Sequence, residues 1–134
     1  MIQMSTFNAI GVAGTGVTVY RKWLDAVSDN IANVDNVSRT SENAFQARYV
    51  MAQEAQDGNG AQVTGIAYGS AEGKLSYEPD NPLADSEGYV RRADIDLGSQ
   101  MAQMIMAQRA YQANLSVVDR ARDSYNAAIN LGKS

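Results

Sequence analysis

The chain has 134 residues, enough for one domain, and it contains no cysteine and no histidine. This composition excludes disulfides, thiolate nucleophiles, zinc sites built on cysteine or histidine, and an imidazole base. Fifteen acidic residues against eleven basic ones give a net charge of −4. Nucleic-acid-binding proteins usually carry a basic face, so this class is disfavoured.

The first part of the chain predicts a long helix with a coiled-coil seam. Two apolar series, each with a seven-residue spacing and offset by three, occupy its a and d positions. They are Ile10, Val17, Leu24 and Ile31, and Ala13, Tyr20, Val27 and Val34. Each of Gly11, Gly14 and Gly16 costs about 1 kcal/mol relative to alanine in a helix. We therefore expect the first turns to fray in isolation, or to allow another segment to approach closely.

Two other interpretations of the N-terminal segment fail on content. Residues 1–20 carry no charge, but they hold too many polar residues and glycines for a membrane-spanning helix or a secretory signal. The glycines lack the order of a dinucleotide fingerprint, and no Lys-Ser/Thr pair follows them as in a phosphate loop. We expect neither a membrane span nor a nucleotide site here.

The polar middle of the chain predicts short strands. Candidate strands are residues 45–54, 61–68 and 73–77, and Asp57-Gly58-Asn59-Gly60 is a strong turn signal between the first two. In the first strand, alternation predicts that Tyr49 and Met51 lie on the buried face with Phe45 and Ala47. Residues 80–90 follow two prolines and are expected to form an ordered loop.

The acidic segment at residues 72–96 is a candidate for a catalytic or metal site. Asp80, Asp85 and Glu87 do not have the spacing of a calcium-binding EF-hand. Asp94 and Asp96 could act as paired carboxylates, but acids suit the start of a helix, where Asp96 can cap. We predict no catalytic, cofactor-binding or metal-binding residues, and an enzyme using this acidic segment is the less favoured alternative.

A second long helix is predicted from about Asp96 to Leu131, with Gly132 as its stop signal. Its seam consists of Leu97, Met101, Met104, Tyr111, Leu115, Val118, Tyr125 and Ile129, with Gln108 and Arg122 in two intervening positions. Ile105, Val117 and Ala121 add a second apolar face. One partner helix cannot cover both faces, so the pattern predicts a protein that assembles with other subunits.

These elements predict an α+β fold in which long N- and C-terminal helices pair as a coiled coil around a small middle rich in β-hairpins. The expected divisions are residues 1–36 for the first helix, 37–95 for the β-rich middle with its acidic loop, and 96–134 for the second helix. The two helices are expected to form one terminal domain.

Three blocks of sequence resemble the flagellar rod and hook family, and most closely the rod proteins of the proximal segment. The first block is Asp29–Asn36, the second Tyr77–Val90 and the third Met101–Asn114. The residues that carry the resemblance are Asn30, Ile31, Ala32 and Asn33, then Pro82, Gly88, Tyr89 and Val90, then Arg109, Tyr111 and Asn114. Asn36 and Gln100 depart from the family pattern, which has Thr and Glu there.

The resemblance implies a structural subunit of the bacterial flagellum, without cofactors, that leaves the cell through the type III export apparatus with no cleaved signal. Its terminal helices would pair into the inner tube of a hollow, torque-transmitting rod in the periplasm. Implied partners are other rod subunits and the adaptor at the rod base, with neither nucleic acid nor membrane insertion involved. Another rod- or hook-type axial subunit and a soluble coiled-coil adaptor remain as alternatives.

Overall fold

The computed structural model describes residues 2–133, with side chains from Asn8 onward. The elements within this range are α1 (Ile2–Ala32), β1 (Val37–Ser38), β2 (Arg48–Glu54), β3 (Ala61–Tyr68), β4 (Lys74–Tyr77), β5 (Tyr89–Arg92) and α2 (Leu97–Gly132). The predicted α+β class is confirmed. The three glycines near the start of α1 do not interrupt this helix.

The two helices pack along each other in antiparallel orientation. The residue numbers of the contacts decrease along α1 as they increase along α2. Asn30 contacts Gln100, Trp23 contacts Gln103, and Gly16 approaches Asn114. The seven predicted seam positions within α1 are buried or half-buried, and so is the eighth, Val34, which lies in the turn after the helix. Neither helix, over the part of the chain that is described, is long and apolar enough to cross a membrane.

The first half of α2 turns a different face inward from the one predicted. Leu97 and Met101 are 41% and 53% exposed, whereas Gln100 and Ala107 are buried. The heptad assignment assumed that apolar side chains mark the contact. Here the contact with α1 uses a glutamine that has a polar partner and an alanine small enough for close packing. From Met104 onward the predicted seam positions Met104, Tyr111, Leu115, Val118, Tyr125 and Ile129 are half-buried.

The strands form two small antiparallel sheets. One has the order β1-β5-β4, and the other is the β2–β3 hairpin, whose register shifts at a bulge between Met51 and Ala52. The hairpin turn has Gly58 and Gly60 at φ values of +72° and +109°, which suit glycine. The predicted turn at residues 57–60 is therefore confirmed.

Two expectations for the middle segment differ from the structure, and one strand was not predicted. The alternation in β2 exists, but Tyr49 and Met51 are exposed while Arg48 and Val50 face inward. Phe45 and Ala47 do pack inward, but they precede the strand. The alternation of inward and outward side chains in β2 therefore cannot be extended from them. Strand β5 begins at Tyr89, inside the segment expected to be a loop, and the two-residue β1 was too short to predict.

The apolar core is small and lies where the sheets meet the helices. Ala47, Ala93 and Ile95 form its buried cluster, with Val34 and Phe45 packed against it. Val27 and Val90 are also almost fully buried. Small side chains dominate, so the core holds the elements close together without burying much apolar area.

Candidate functional site: the junction of helices and hairpin

Asn30 is the fully buried centre of a polar junction between α1, α2 and the hairpin. Its Oδ1 accepts from the backbone N–H of Arg48 at 2.8 Å, and its Nδ2 donates to the Arg48 carbonyl at 2.9 Å. The same Nδ2 donates to Gln100 Oε1 at 3.0 Å. The amide thus pairs with the first residue of β2 as a neighbouring strand would, and it also holds α2. A buried polar group with this many partners fixes a register.

Residues after Asn30 end α1 and turn the chain toward the sheet. The Asn33 N–H donates to the carbonyls of Asp29 and Asn30, and its side-chain Nδ2 donates to the Asp29 carbonyl at 2.8 Å. These bonds satisfy carbonyls that the helix end leaves open. Asp29 also forms an ion pair of 2.9 Å with Arg48. The block resembling the rod family therefore shapes the exit from the first helix.

Three further contacts join α1 to its neighbours. Trp23 Nε1 donates to Gln103 Oε1 across the helices at 3.4 Å. A Cβ atom placed on Gly16 would lie 3.1 Å from Asn114 Oδ1, so the helices approach closely at this glycine. The Ala61 N–H, at the start of β3, donates to Thr15 Oγ1 at 3.1 Å and holds the tip of the hairpin on α1. We call this last bond the tip contact.

The carboxylates of the acidic segment have structural partners. Glu78 accepts from Arg92, Asn81 and Ser76, and these bonds, that of Arg92 first, lower the pKa of Glu78 to about 2. Asp85 accepts from the backbone of Tyr89 and Glu87 and from the Thr40 hydroxyl, and its pKa is also lowered.

The two aspartates before α2 have structural partners as well. Asp96 caps α2 by accepting from the Gly98 and Ser99 N–H groups, as predicted. Asp94 pairs with Lys74 at 3.2 Å. No group of three or more acidic side chains within the described part of the chain could hold a metal ion.

The second block resembling the rod family forms the turn into β5. Gly88 is buried at φ +87°, and a Cβ there would lie 2.7 Å from the Tyr77 ring. Val90 is fully buried, whereas Tyr89 is partly exposed and its ring lies 5.3 Å from that of Tyr77. Pro82 is exposed in the preceding turn. Glycine at position 88 is therefore required both by backbone conformation and by the ring beside it.

The residues proposed for α2 do not all meet α1. Asn114 lies against Gly16, and Tyr111 is half-buried, but Arg109 is exposed and forms no hydrogen bond or ion pair with any described residue. Ile31 and Val34 are half-buried at the helix exit, and Ala32 is exposed. Sequence reasoning missed Gln100, Gln103, Arg48 and Thr15. Gln100 was visible only as a departure from the family pattern.

The outer face of α2 carries an uncovered apolar stripe. Leu97, Met101 and Ile105 are spaced four residues apart and are 41%, 53% and 51% exposed. Side chains at this spacing lie on one side of a helix. We call these three residues the α2 stripe. Nothing in the described part of the chain buries it.

The comparisons with known proteins agree with this architecture. The family model for the C-terminal region of flagellar basal body rod FlgEFG proteins matches residues 86–131, which comprise β5 and most of α2. A relative from Salmonella typhimurium is 31% identical and covers 97% of this chain and the whole of its own length. A relative from Yersinia enterocolitica is 32% identical with the same coverage. One from Borreliella burgdorferi is 31% identical over 94% of this chain and 97% of its own.

All three relatives carry the name flagellar basal-body rod protein FlgC. Two long terminal helices, a β middle and these matches define a structural protein of the flagellar basal-body rod. The similarity over nearly the full length of the chain points to one family within this class. The chain belongs to the FlgC family of flagellar basal-body rod proteins.

Proposed function

We propose that the chain is a subunit of the proximal rod that assembles with copies of itself and with other rod subunits through its terminal helices. The observation that carries this proposal is the α2 stripe, which its own chain leaves uncovered. A neighbouring subunit that covers these three side chains would remove their apolar area from water, at about 25 cal/mol per Å². In the assembled rod the helices would form the inner tube, and the two sheets would face outward.

We draw the remaining parts of the proposal from the similarity to flagellar basal-body rod proteins. The helices would line a hollow, torque-transmitting shaft in the periplasm, with the rod-base adaptor as a further partner. The subunit would reach this place through the type III export apparatus, without cleavage of a signal. We propose no catalysis, since Glu78, Asp85 and Asp96 use their carboxylate oxygens for internal hydrogen bonds. Arg109, exposed on α2, is proposed to contact a neighbouring subunit.

The test places charge on the α2 stripe. Met101→Asp combined with Ile105→Asp should block rod assembly and motility in a flagellated strain that lacks its own copy of the gene. Both side chains are more than half exposed, so the purified variant should keep the helical circular dichroism of the original chain. Motility is scored in soft agar, and rods are scored in isolated basal bodies.

The matched control is Ala102→Asp with Ala113→Asp, which adds the same charge at exposed positions on a different side of α2 from the stripe. This control should assemble. Normal swimming of the stripe variant, or equal loss in both variants, would contradict the proposed role of the α2 stripe.

A further inference from the structure

The hairpin turn contains two adjacent sequences in which an acid or amide precedes glycine. They are Asp57-Gly58 and Asn59-Gly60, and the second is the one Asn-Gly pair in the chain. In such a pair the backbone nitrogen of glycine can attack the side-chain carbonyl carbon before it, because no Cβ on the following residue hinders the approach. Whether this occurs in a folded protein depends on the nitrogen, the carbonyl group and their freedom to meet.

The structure separates the two pairs. The Gly58 N–H donates to the Ala55 carbonyl at 2.8 Å, so this nitrogen is engaged. The Asp57 carboxylate accepts from the backbone N–H and the side chain of Asn59, which lowers the pKa of Asp57 and keeps the group ionised. An ionised carboxylate is a poor target for a nucleophile. In Asp57-Gly58, both the attacking nitrogen and the carboxylate that it would attack are therefore protected.

Asn59-Gly60 differs from Asp57-Gly58 on both counts, although the Asn59 side chain itself donates a hydrogen bond to the Asp57 carboxylate. Asn59 is exposed, and its neutral amide can be attacked without prior protonation. None of the hydrogen bonds among the described residues uses the Gly60 N–H, although the Gly60 carbonyl accepts from Ala55. We propose that Asn59-Gly60 is a spontaneous modification site, at which Asn59 converts to aspartate and isoaspartate in the folded chain.

The reaction needs only water. The Gly60 nitrogen bonds to Cγ of Asn59, the bond from Cγ to the amide nitrogen breaks, and ammonia leaves with the proton from Gly60. Water then opens the resulting five-membered succinimide at either carbonyl and gives aspartate or isoaspartate. Either product adds a negative charge, and isoaspartate also lengthens the backbone by one atom.

This change falls beside the tip contact. A Cβ on Gly60 would clash with Thr15 Oγ1, so the backbone at Gly60 packs tightly on α1. The next residue, Ala61, donates the tip contact itself. A backbone longer by one atom at residue 59 displaces both groups, and isoaspartate formation therefore releases the tip of the hairpin from α1.

The experiment follows the purified full chain during incubation at mildly alkaline pH, with peptide mapping by mass spectrometry. The tryptic peptide of residues 49–74 should gain about 1 Da at Asn59, at a rate within about threefold of that in the urea-unfolded chain. Asp57 isomerisation, detected as an isobaric peptide of altered retention, should be at least about tenfold slower in the folded chain than in the unfolded one. Asn43 is an internal control, because the Ala44 N–H donates to Ala71.

Protection of Asn59 to the same degree as Asp57, or reaction at Asn43 as fast as at Asn59, would overturn the proposal. The Asn59→Gln variant should not change mass on the same timescale, because its longer side chain closes a less favourable ring. Amide exchange at Ala61 should accelerate in the aged original chain and not in aged Asn59→Gln. Unchanged exchange at Ala61 in chains that carry isoaspartate would overturn the release of the tip contact.

Discussion

The Asn30 side chain joins three elements of the fold, so we expect few substitutions to be tolerated at this position. It is fully buried, and its amide serves both backbone groups of Arg48 and the Gln100 side chain. Removing it leaves Gln100 buried without this partner and the two backbone groups of Arg48 half-buried without theirs, and each unsatisfied buried group costs about 1–3 kcal/mol. The replacement also leaves a cavity at the junction.

We therefore expect Asn30→Ala to lower the free energy of unfolding by about 3 kcal/mol or more, measured by urea denaturation of the monomer. The control is Asn36→Ala in the same sequence block. Asn36 is exposed, and its side chain makes one long hydrogen bond of 3.4 Å to Asn33, so the change should stay within about 0.5 kcal/mol. Equal losses in the two variants would argue against the junction.

Glu78 predicts how stability responds to acid. Its pKa is lowered from 4.5 to about 2, first by the hydrogen bond from Arg92 and then by those from Asn81 and Ser76. A carboxyl group with a lower pKa in the folded state stabilises the fold above its unfolded pKa. This contribution is lost as pH falls from about 4.5 to about 2.

Glu78→Gln should accordingly flatten the loss of stability between pH 4.5 and pH 2, followed by urea denaturation across this range. Glu42→Gln is the matched control, since this exposed carboxylate has no hydrogen bond or ion pair with a described residue. An acid dependence that survives Glu78→Gln and disappears in the control would refute the assignment.

At the scale of elements, the three glycines of α1 differ in how closely α2 approaches them, although the sequence gives no sign of this difference. A Cβ on Gly11 or Gly14 would meet nothing within 4 Å, whereas on Gly16 it would lie 3.1 Å from Asn114 Oδ1. Alanine is preferred over glycine in a helix by about 1 kcal/mol. The two open positions therefore gain from alanine, and the third must displace the Asn114 amide.

We expect Gly14→Ala to raise the free energy of unfolding by about 0.5–1 kcal/mol, and Gly16→Ala to fall about 1 kcal/mol below it. Adding Asn114→Ala to both variants forms a double-mutant cycle, and this second change should remove the difference between them. If Gly16→Ala raised the free energy of unfolding as much as Gly14→Ala does, the helices would have to lie further apart than they do in the structure.

The elements also explain what the sequence could and could not predict. The seam of α1 could be predicted because its apolar positions are buried or half-buried. The start of α2 could not, because its inward residues are Gln100 and Ala107, which a hydrophobic pattern ignores. In β2 the face was misassigned because the alternation was extended from Phe45 and Ala47 across an irregular segment. Strand β5 is held by pairing with distant β1 and β4, which no local pattern reports.

At the scale of the whole molecule, stability is concentrated where the two sheets meet the helices. Val27, Asn30 and Val90 are the largest fully buried side chains, and all belong to this end. Away from this end of the molecule, α1 and α2 pack only against each other and against the hairpin. The far parts of the helices hold few fully buried side chains, among them Ala13. Regions with few buried contacts open at low cost in free energy.

Hydrogen exchange of the dilute chain should therefore be slowest around residues 24–31 and 89–107. Exchange should become faster toward residues 8–12 and 122–131. Assembly with neighbouring subunits should protect these distal segments. Strong and uniform protection along both helices of a dilute monomer would contradict this gradient, and it would also remove the reason for expecting neighbours to complete the fold.

The contact of Trp23 with Gln103 has a practical consequence. Trp23 is the single tryptophan of the chain, and its indole nitrogen donates across the interface between the helices. It also lines an open cavity of about 530 Å³ that lies between α1 and the β2–β3 hairpin. Its fluorescence therefore reports helix separation and filling of this cavity without any attached dye. Separation of the helices can therefore be timed from the emission of the unlabelled protein.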